Sequence, residues 1–503
     1  MRERERERER EKKKKKKVGG GAAMGEVGEV CVIEAANQHQ IAKPTKEKRQ
    51  MIQLIPATAT ATVMASPDDR DIEATTMLAN LGGSISHETE HNNPLEAWLP
   101  ITESRDGNAF TSAFHVLCSG IGVQALLLPL AFTSLGWLWG IVCLSMAFAF
   151  GAKLGKLLAI FPVMYLSGGT CVMLIITGAK TMELFYNTIC GDGLTCIART
   201  PSGAEWFLVF TFLAIFVAQF FPNLNSIAGV SLIGAITAVG YCTLLWALSI
   251  SLDRPDGASH DPSKAASSET ARTRSVLTAL GIIALAFRGH NLVLEIQGTM
   301  PSSSKNPSRE PMWRGVTMSY ILISMCLFPL AIGGYWAYGN SIPADGGMLI
   351  TFSKFHGQST SKFVVGLIYL LVLINCLCSF QIYAMPVFDN LEFQYTIKQE
   401  RRCPRLLRFG IRVFFGGLTY FIAMAFPFLP SLAALIGGIT LPLTYAYPCF
   451  MWITIKKPRP NSAMWWSNLC LGCLGIVLSV LLITAAVSNI VTKGIDANFF
   501  RPH

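Results

Sequence analysis

The sequence predicts an all-α integral membrane protein of about eleven transmembrane helices. Three observations lead there. Of its 503 residues 51% are hydrophobic and only 15% are charged. The apolar residues gather into blocks of about twenty rather than at the helix or strand period of a soluble core. Two of those blocks, the first and the sixth, are interrupted near mid-depth by glycine and polar residues.

The net charge of +10 does not describe a nucleic-acid groove, because the first twenty residues alone hold five Arg, six Lys and five Glu. Residues 1–100 read as a disordered cytosolic tail, since MRERERERER EKKKKKK has no apolar residue to bury. Arg-Glu alternation and poly-Lys are also what a GA repeat and a poly-A run encode. Residues 1–23 therefore read as a mistranslated leader, with Met24, Met51, Met64 and Met77 as candidate starts. No cleavable secretory signal precedes residue 110, so the first span must direct insertion.

Crossing ~30 Å of hydrocarbon takes ~20 helical residues. The blocks fall at 110–132, 136–151, 156–184, 205–221, 225–251, 275–298, 315–338, 362–387, 409–426, 428–455 and 466–490. The spans fill residues 101–495, and 496–503 form a short C-terminal tail. An odd count puts the termini on opposite sides. Lys153, Lys156, Lys305, Arg309, Arg314, Lys398, Arg401, Arg402, Arg405, Arg408, Lys456, Lys457 and Arg459 then all lie on the side of the N-terminus. The positive-inside bias makes that side cytosolic and the C-terminus extracellular. The second block is short, giving ~24 Å of helix before Lys153.

Most of the fourteen cysteines sit inside apolar blocks as small core residues. Cys190 and Cys196 instead share a polar loop between the third and fourth spans, and an extracellular loop would pair them as a disulfide.

In the first span, FHVLCSGIGVQALLLPLAF sets Ser119, Gly120, Ile121 and Gly122 inside an apolar stretch. One reading is a discontinuous helix whose second half offers free N–H groups and the positive end of its dipole to a carboxylate. The other is a small-residue packing face. In the sixth span, Arg288, Gly289, His290, Asn291 and Glu295 interrupt the stretch, where a charge costs a few kcal/mol or more. Two interrupted spans five helices apart point to a five-plus-five inverted repeat with its site at the bilayer midplane. Glu295 is a candidate for the protonation that couples transport, with His290 and Arg288 beside it. Equally, Glu295 fits a permanent partner of Arg288, and His290 a hydrogen-bonded core residue. Ser167 to Thr170 in the third span, and Asn375 and Ser379 in the eighth, fit pathway lining less well than helix packing. No enzyme motif and no metal-ligand spacing is present. The residues indicate a membrane protein that is not an enzyme and takes no cofactor beyond a proton.

Three stretches carry a resemblance: NPLEAWLPITESRDGNAFTSAFHVLCSGIGVQALLLPLAF, FPNLNSIAGVSLIGAITAV and FRGHNLVLEIQGTMPSS. Over residues 94 to 490 the chain resembles the lysine–histidine-type transporters of the plant amino acid/auxin permease family. The resemblance implies a LeuT-type core and proton-coupled import of amino acids across the plasma membrane. Substrate would bind at Ser119, Gly120, Ile121 and Gly122 and at Gly289, His290 and Asn291. The partners implied are an amino acid and the lipid bilayer, with no nucleic acid; the oligomeric state is left open.

Two departures stand out. Relatives carry several tens of residues more where this chain runs from MAFAF to GAKLGKLLAIFP, so the second span reads as truncated. Arg288 also places a fixed cation beside the Gly-His pair. The first departure keeps an alternative open: a non-transporting isoform, a membrane nutrient sensor, or a partner of full-length transporters.

Overall fold

The computed structural model describes residues 107–151, 160–190, 201–221, 225–255, 258–261, 268–286, 292–302, 306–343, 347–399, 401–427 and 429–494. Every regular element among them is a helix, and no strand occurs among them. In chain order the helices are α1 (Ala109–Gly120), α2 (Val123–Gly151), α3 (Ile160–Cys190), α4 (Gly203–Phe220), α5 (Ala228–Ser251), α6 (Glu269–Ala286) and α7 (Val293–Gly298). They continue with α8 (Arg309–Tyr338), α9 (Gly347–His356), α10 (Lys362–Gln399), α11 (Arg405–Ala425), α12 (Leu429–Leu441), α13 (Tyr447–Lys456) and α14 (Ala463–Gly494). A π turn at Pro442–Ala446 joins α12 to α13 where proline removes helical donors.

Local chemistry fixes the starts of helices. Asn108 Oδ1 accepts from the backbone N–H of Phe110 and Thr111 at 2.9 and 3.0 Å, and Thr111 Oγ1 accepts from Asn108 N–H at 2.8 Å. This reciprocal box satisfies donors that α1 has no carbonyls to meet. Glu205 does the same for Ser202 at the head of α4, accepting its N–H at 2.6 Å. The first and second spans run on in α2, turned at Gly136, whose φ of 71° suits a residue without Cβ.

The packing follows a five-helix period. The first span packs on the fifth through α1 and α5, and the sixth packs on the tenth through α6 and α12. The third and eighth spans, α3 and α10, pack on each other at the centre. The first also packs on the seventh, as the sixth does on α2. Exchanging each helix with the one five places on preserves these pairs, as two inverted repeats require. Both equivalent crossings are lined by glycine. A Cβ at Gly234 in α5 would strike the Cys118 sulfur in α1, and one at Gly437 in α12 would strike the Gly281 carbonyl in α6. Small residues let the backbones come this close without a hydrophobic drive in lipid.

Eight of the described helical segments are by themselves long and apolar enough to cross a membrane, against the eleven spans expected. The sixth span is divided between α6 and α7, and the first and second share one segment. The eighth span also outruns its expected end at 387, since α10 continues to Gln399. The second-span helix is described from Gly136 to Gly151, and residues 152–159, where the sequence reads as truncated, lie outside the described residues.

At the end away from the Arg401–Arg408 loop, α9 is clamped by His356. Its Nε2 must carry the proton, because its partner at 2.9 Å is the Asp253 carbonyl. Nδ1 then accepts from the Tyr338 hydroxyl at 2.8 Å.

Candidate functional site

The first span is broken where the sequence is richest in glycine. α1 ends at Gly120, Ile121 is extended (φ −112°, ψ 99°), and α2 begins at Val123. A break in lipid needs other groups to take up the released carbonyls. Here the fifth and eighth spans supply them. Tyr383 donates its hydroxyl to the Ser119 carbonyl at 2.7 Å, Ser379 donates to the Cys118 carbonyl at 3.1 Å, and Tyr241 donates to the Gly122 carbonyl at 3.2 Å. All three donors are at most 1% exposed. Asn375 donates to the Gly234 carbonyl at 2.9 Å, tying the eighth span to the fifth. Asn375 and Ser379 therefore hold helices together, which is the packing role the sequence favoured for them.

The same geometry gives a quantitative expectation. Removing the Tyr383 hydroxyl strips a hydrogen bond from a buried carbonyl at the break, worth about 1–3 kcal/mol. Tyr383→Phe should lower amino-acid uptake roughly 5- to 150-fold at unchanged surface amount, measured by initial rates normalised to surface biotinylation.

Ser167 and Thr170 are buried in α3, and the Thr170 hydroxyl has no hydrogen-bond partner. Gly169 abuts Ile436 of α12, while a Cβ on Gly168 would meet nothing within 4 Å. The run thus combines packing at one position with unfilled space at the next.

Of the residues expected in the sixth span, Arg288, Gly289, His290 and Asn291 lie outside the described residues, as does Cys196. Cys190 is disulfide-bonded. Glu295 lies in the first turn of α7 and is 5% exposed.

The structure brings Glu295 into a charged group that the sequence reading missed. Asp389 and Glu392, one turn apart on α10, are 4% and 1% exposed, and Arg412 on α11 is 3% exposed. Glu392 meets Arg408 Nε at 2.9 Å as an ion pair rather than an aligned hydrogen bond. Arg412 donates to the Ala218 carbonyl at the end of α4, 2.7 Å away, and lies 5.5 Å from the Phe388 ring. Asp389 interacts electrostatically with Glu392, Glu295, Arg412 and Arg408. Arg412 falls inside the ninth apolar block, and an arginine within a span is a signal that could have found this group.

A bundle of membrane-spanning helices, one of them broken at glycine and anchored by its neighbours, defines a multi-pass membrane transporter. Residues 146–492 match the family described as transmembrane amino acid transporter protein. The chain is 47% identical over 460 residues to Lysine histidine transporter-like 8 of Arabidopsis thaliana, covering 85% of this chain and 88% of that one. It is 45% identical over 443 residues to Lysine histidine transporter-like 7 of the same plant, covering 81% and 90%. The chain belongs to the transmembrane amino acid transporter family, in its lysine histidine transporter-like group. Among solved structures, MhsT in complex with L-phenylalanine aligns with a TM-score of 0.43 and 14% identity, covering 80% of this chain and 100% of that one.

Proposed function

We propose that this protein is a proton-coupled symporter that imports amino acids across the plasma membrane by alternating access. The carrying observation is the anchored break at Ile121–Gly122, which sets the start of α2, the positive end of its dipole, inside the bundle. Such an N-terminus favours a substrate carboxylate. On this reading Ser119 to Gly122 and Gly289 to Asn291 take the substrate, and the proton is carried by a buried carboxyl, for which Glu295 is available. The N-terminus is cytosolic and the C-terminus extracellular.

The test is uptake of labelled neutral, acidic and basic amino acids at mildly acidic and at neutral external pH by cells expressing this chain. Faster uptake at acidic pH supports the reading; uptake blind to pH at zero potential sinks it. Gly168 should line the path. Gly168→Ala leaves uptake near normal, whereas Gly168→Trp lowers it by at least about tenfold, ~1.4 kcal/mol, at equal surface amount.

The short second apolar block of the sequence, ~24 Å of helix before Lys153, supports one second reading, a non-transporting isoform that binds substrate or full-length relatives. Flux from a version with a lengthened second span, beside binding without flux from this chain, selects it.

A further inference from the structure

We propose that His356 is a pH-sensitive latch: a proton taken from the outer solution completes a hydrogen-bond chain, His356–Tyr338–Ser249, that ties α9 to the outer ends of the fifth and seventh spans. Calling this end outer rests on the orientation proposed above; the chain itself does not.

Counting hydrogens shows where the proton is missing. With the imidazole neutral, Nε2–H goes to the Asp253 carbonyl at 2.9 Å and Nδ1 accepts from the Tyr338 hydroxyl at 2.8 Å. Ser249 gives its own hydrogen to the Leu245 carbonyl at 2.6 Å. The hydroxyls of Tyr338 and Ser249 then face each other at 3.4 Å with both hydrogens spent elsewhere, a separation long for an O–H···O bond. A proton on Nδ1 reverses one step. Nδ1–H donates to Tyr338, and the phenol hydrogen is freed to turn to Ser249, whose oxygen still has a lone pair. A contact without a hydrogen becomes a bond between the fifth and seventh spans, and both bonds of the ring become charge-assisted. Histidine is the side chain whose charge changes between about pH 5 and 8.

Burial opposes a charge here, since His356 is 6% exposed. Against that, His356 borders a cleft of about 260 Å³ whose other lining residues include Asp253 and Ser359, both exposed. Water and protons reach it there without opening the bundle. Neither α2 nor α5, the helices packed on α9, carries a charged side chain. The remaining charged and titratable groups at this end, among the described residues, are Asp253, Arg254, His260, Asp261, Tyr335, Tyr338, Lys354 and Lys362; Asp256 lies outside them. Arg254 lies over the Trp336 ring at 3.4 Å and Lys354 is 5.4 Å from the Phe355 ring.

The latch bears on the broken span. Gly347, which opens α9, abuts the Leu126 carbonyl in the first turn of α2, and His356 closes α9 at its other end. α9 thus reaches from the start of the second half of the first span to the ends of the fifth and seventh, and acid on the outside holds that bridge shut.

The test is hydrogen–deuterium exchange of the full chain in detergent, corrected for the intrinsic effect of pH and read over residues 249–254 and 347–356. Wild-type protein should exchange roughly 2- to 12-fold more slowly at about pH 5.5 than at about pH 7.5, the effect of one added hydrogen bond. Ser249→Ala should match wild type at neutral pH, where its contact with Tyr338 holds no hydrogen, and should lose the acid gain. His356→Gln should be blind to pH, whereas His260→Gln, which removes the neighbouring histidine, should keep the gain. Equal exchange of wild type at the two pH values overturns the latch, and so does a gain that survives in Ser249→Ala or His356→Gln. Ser249→Ala that is already unprotected at neutral pH shows a structural role and overturns it too. The measurement involves no transport, so its failure and that of the symport reading are separate results.

Discussion

Arg412→Met is expected to destabilise the protein by about 3–5 kcal/mol, the range seen when one partner of a buried charge group is removed. The side chain is 3% exposed and bridges α4, α10 and α11, donating to the Ala218 carbonyl while facing Asp389 and Glu392. Methionine fills much of the volume but leaves the acidic groups without this cation. The loss should appear as a lower unfolding temperature in detergent and a smaller surface pool. Adding Asp389→Asn removes one stranded carboxyl and should return roughly 0.5–3 kcal/mol, read from a double-mutant cycle. Strictly additive losses would show that the two side chains do not interact.

Gly437→Leu should also be damaging, for a steric reason. Any Cβ at this position points into the Gly281 carbonyl and comes within 3.1 Å of the Leu285 nitrogen, both main-chain atoms of α6. A side chain cannot swing away from backbone, so α12 must move off α6. Overpacking of this kind costs typically about 1–3 kcal/mol and occasionally more, and here it also parts the sixth span from the tenth. Loss of most folded protein is expected, measured by fluorescence-detected size exclusion. Gly417→Leu, on a face of α11 where a Cβ meets nothing within 4 Å, should fold normally. Equal behaviour of the two would remove the close crossing as the cause.

The spans and the first break were legible in the sequence because both are local. A run of apolar residues is long enough or it is not, and the Ser119–Gly122 segment has two glycines where a helix needs none. The anchors were less legible. Tyr383 and Tyr241 look like ordinary aromatic core residues, and only the fold shows that their hydroxyls reach carbonyls more than a hundred residues away. The charged group was missed for a different reason. Asp389 and Glu392 follow the apolar run that closed the eighth span at 387, so they read as loop. The helix in fact continues past them, their charge being compensated by Arg408 and Arg412 from the next helix. Arg412 itself stood inside an apolar block and was visible as an intramembrane charge. What hydropathy cannot show is a partner contributed by another element.

The three anchors on the broken first span all grip main-chain oxygen, and none depends on which side chain the anchored residue carries. Positions 119 and 121 are therefore released from the task of maintaining the break. Under the proposed substrate reading, a change of side chain there would retune which substrates fit while the hydroxyls of Tyr383 and Tyr241 go on holding the same two carbonyls. Recognition by side chains and scaffolding by peptide groups would then be separable: single substitutions at the break would shift selectivity, whereas a change on the fifth or eighth span that removes a hydroxyl alters the scaffold itself.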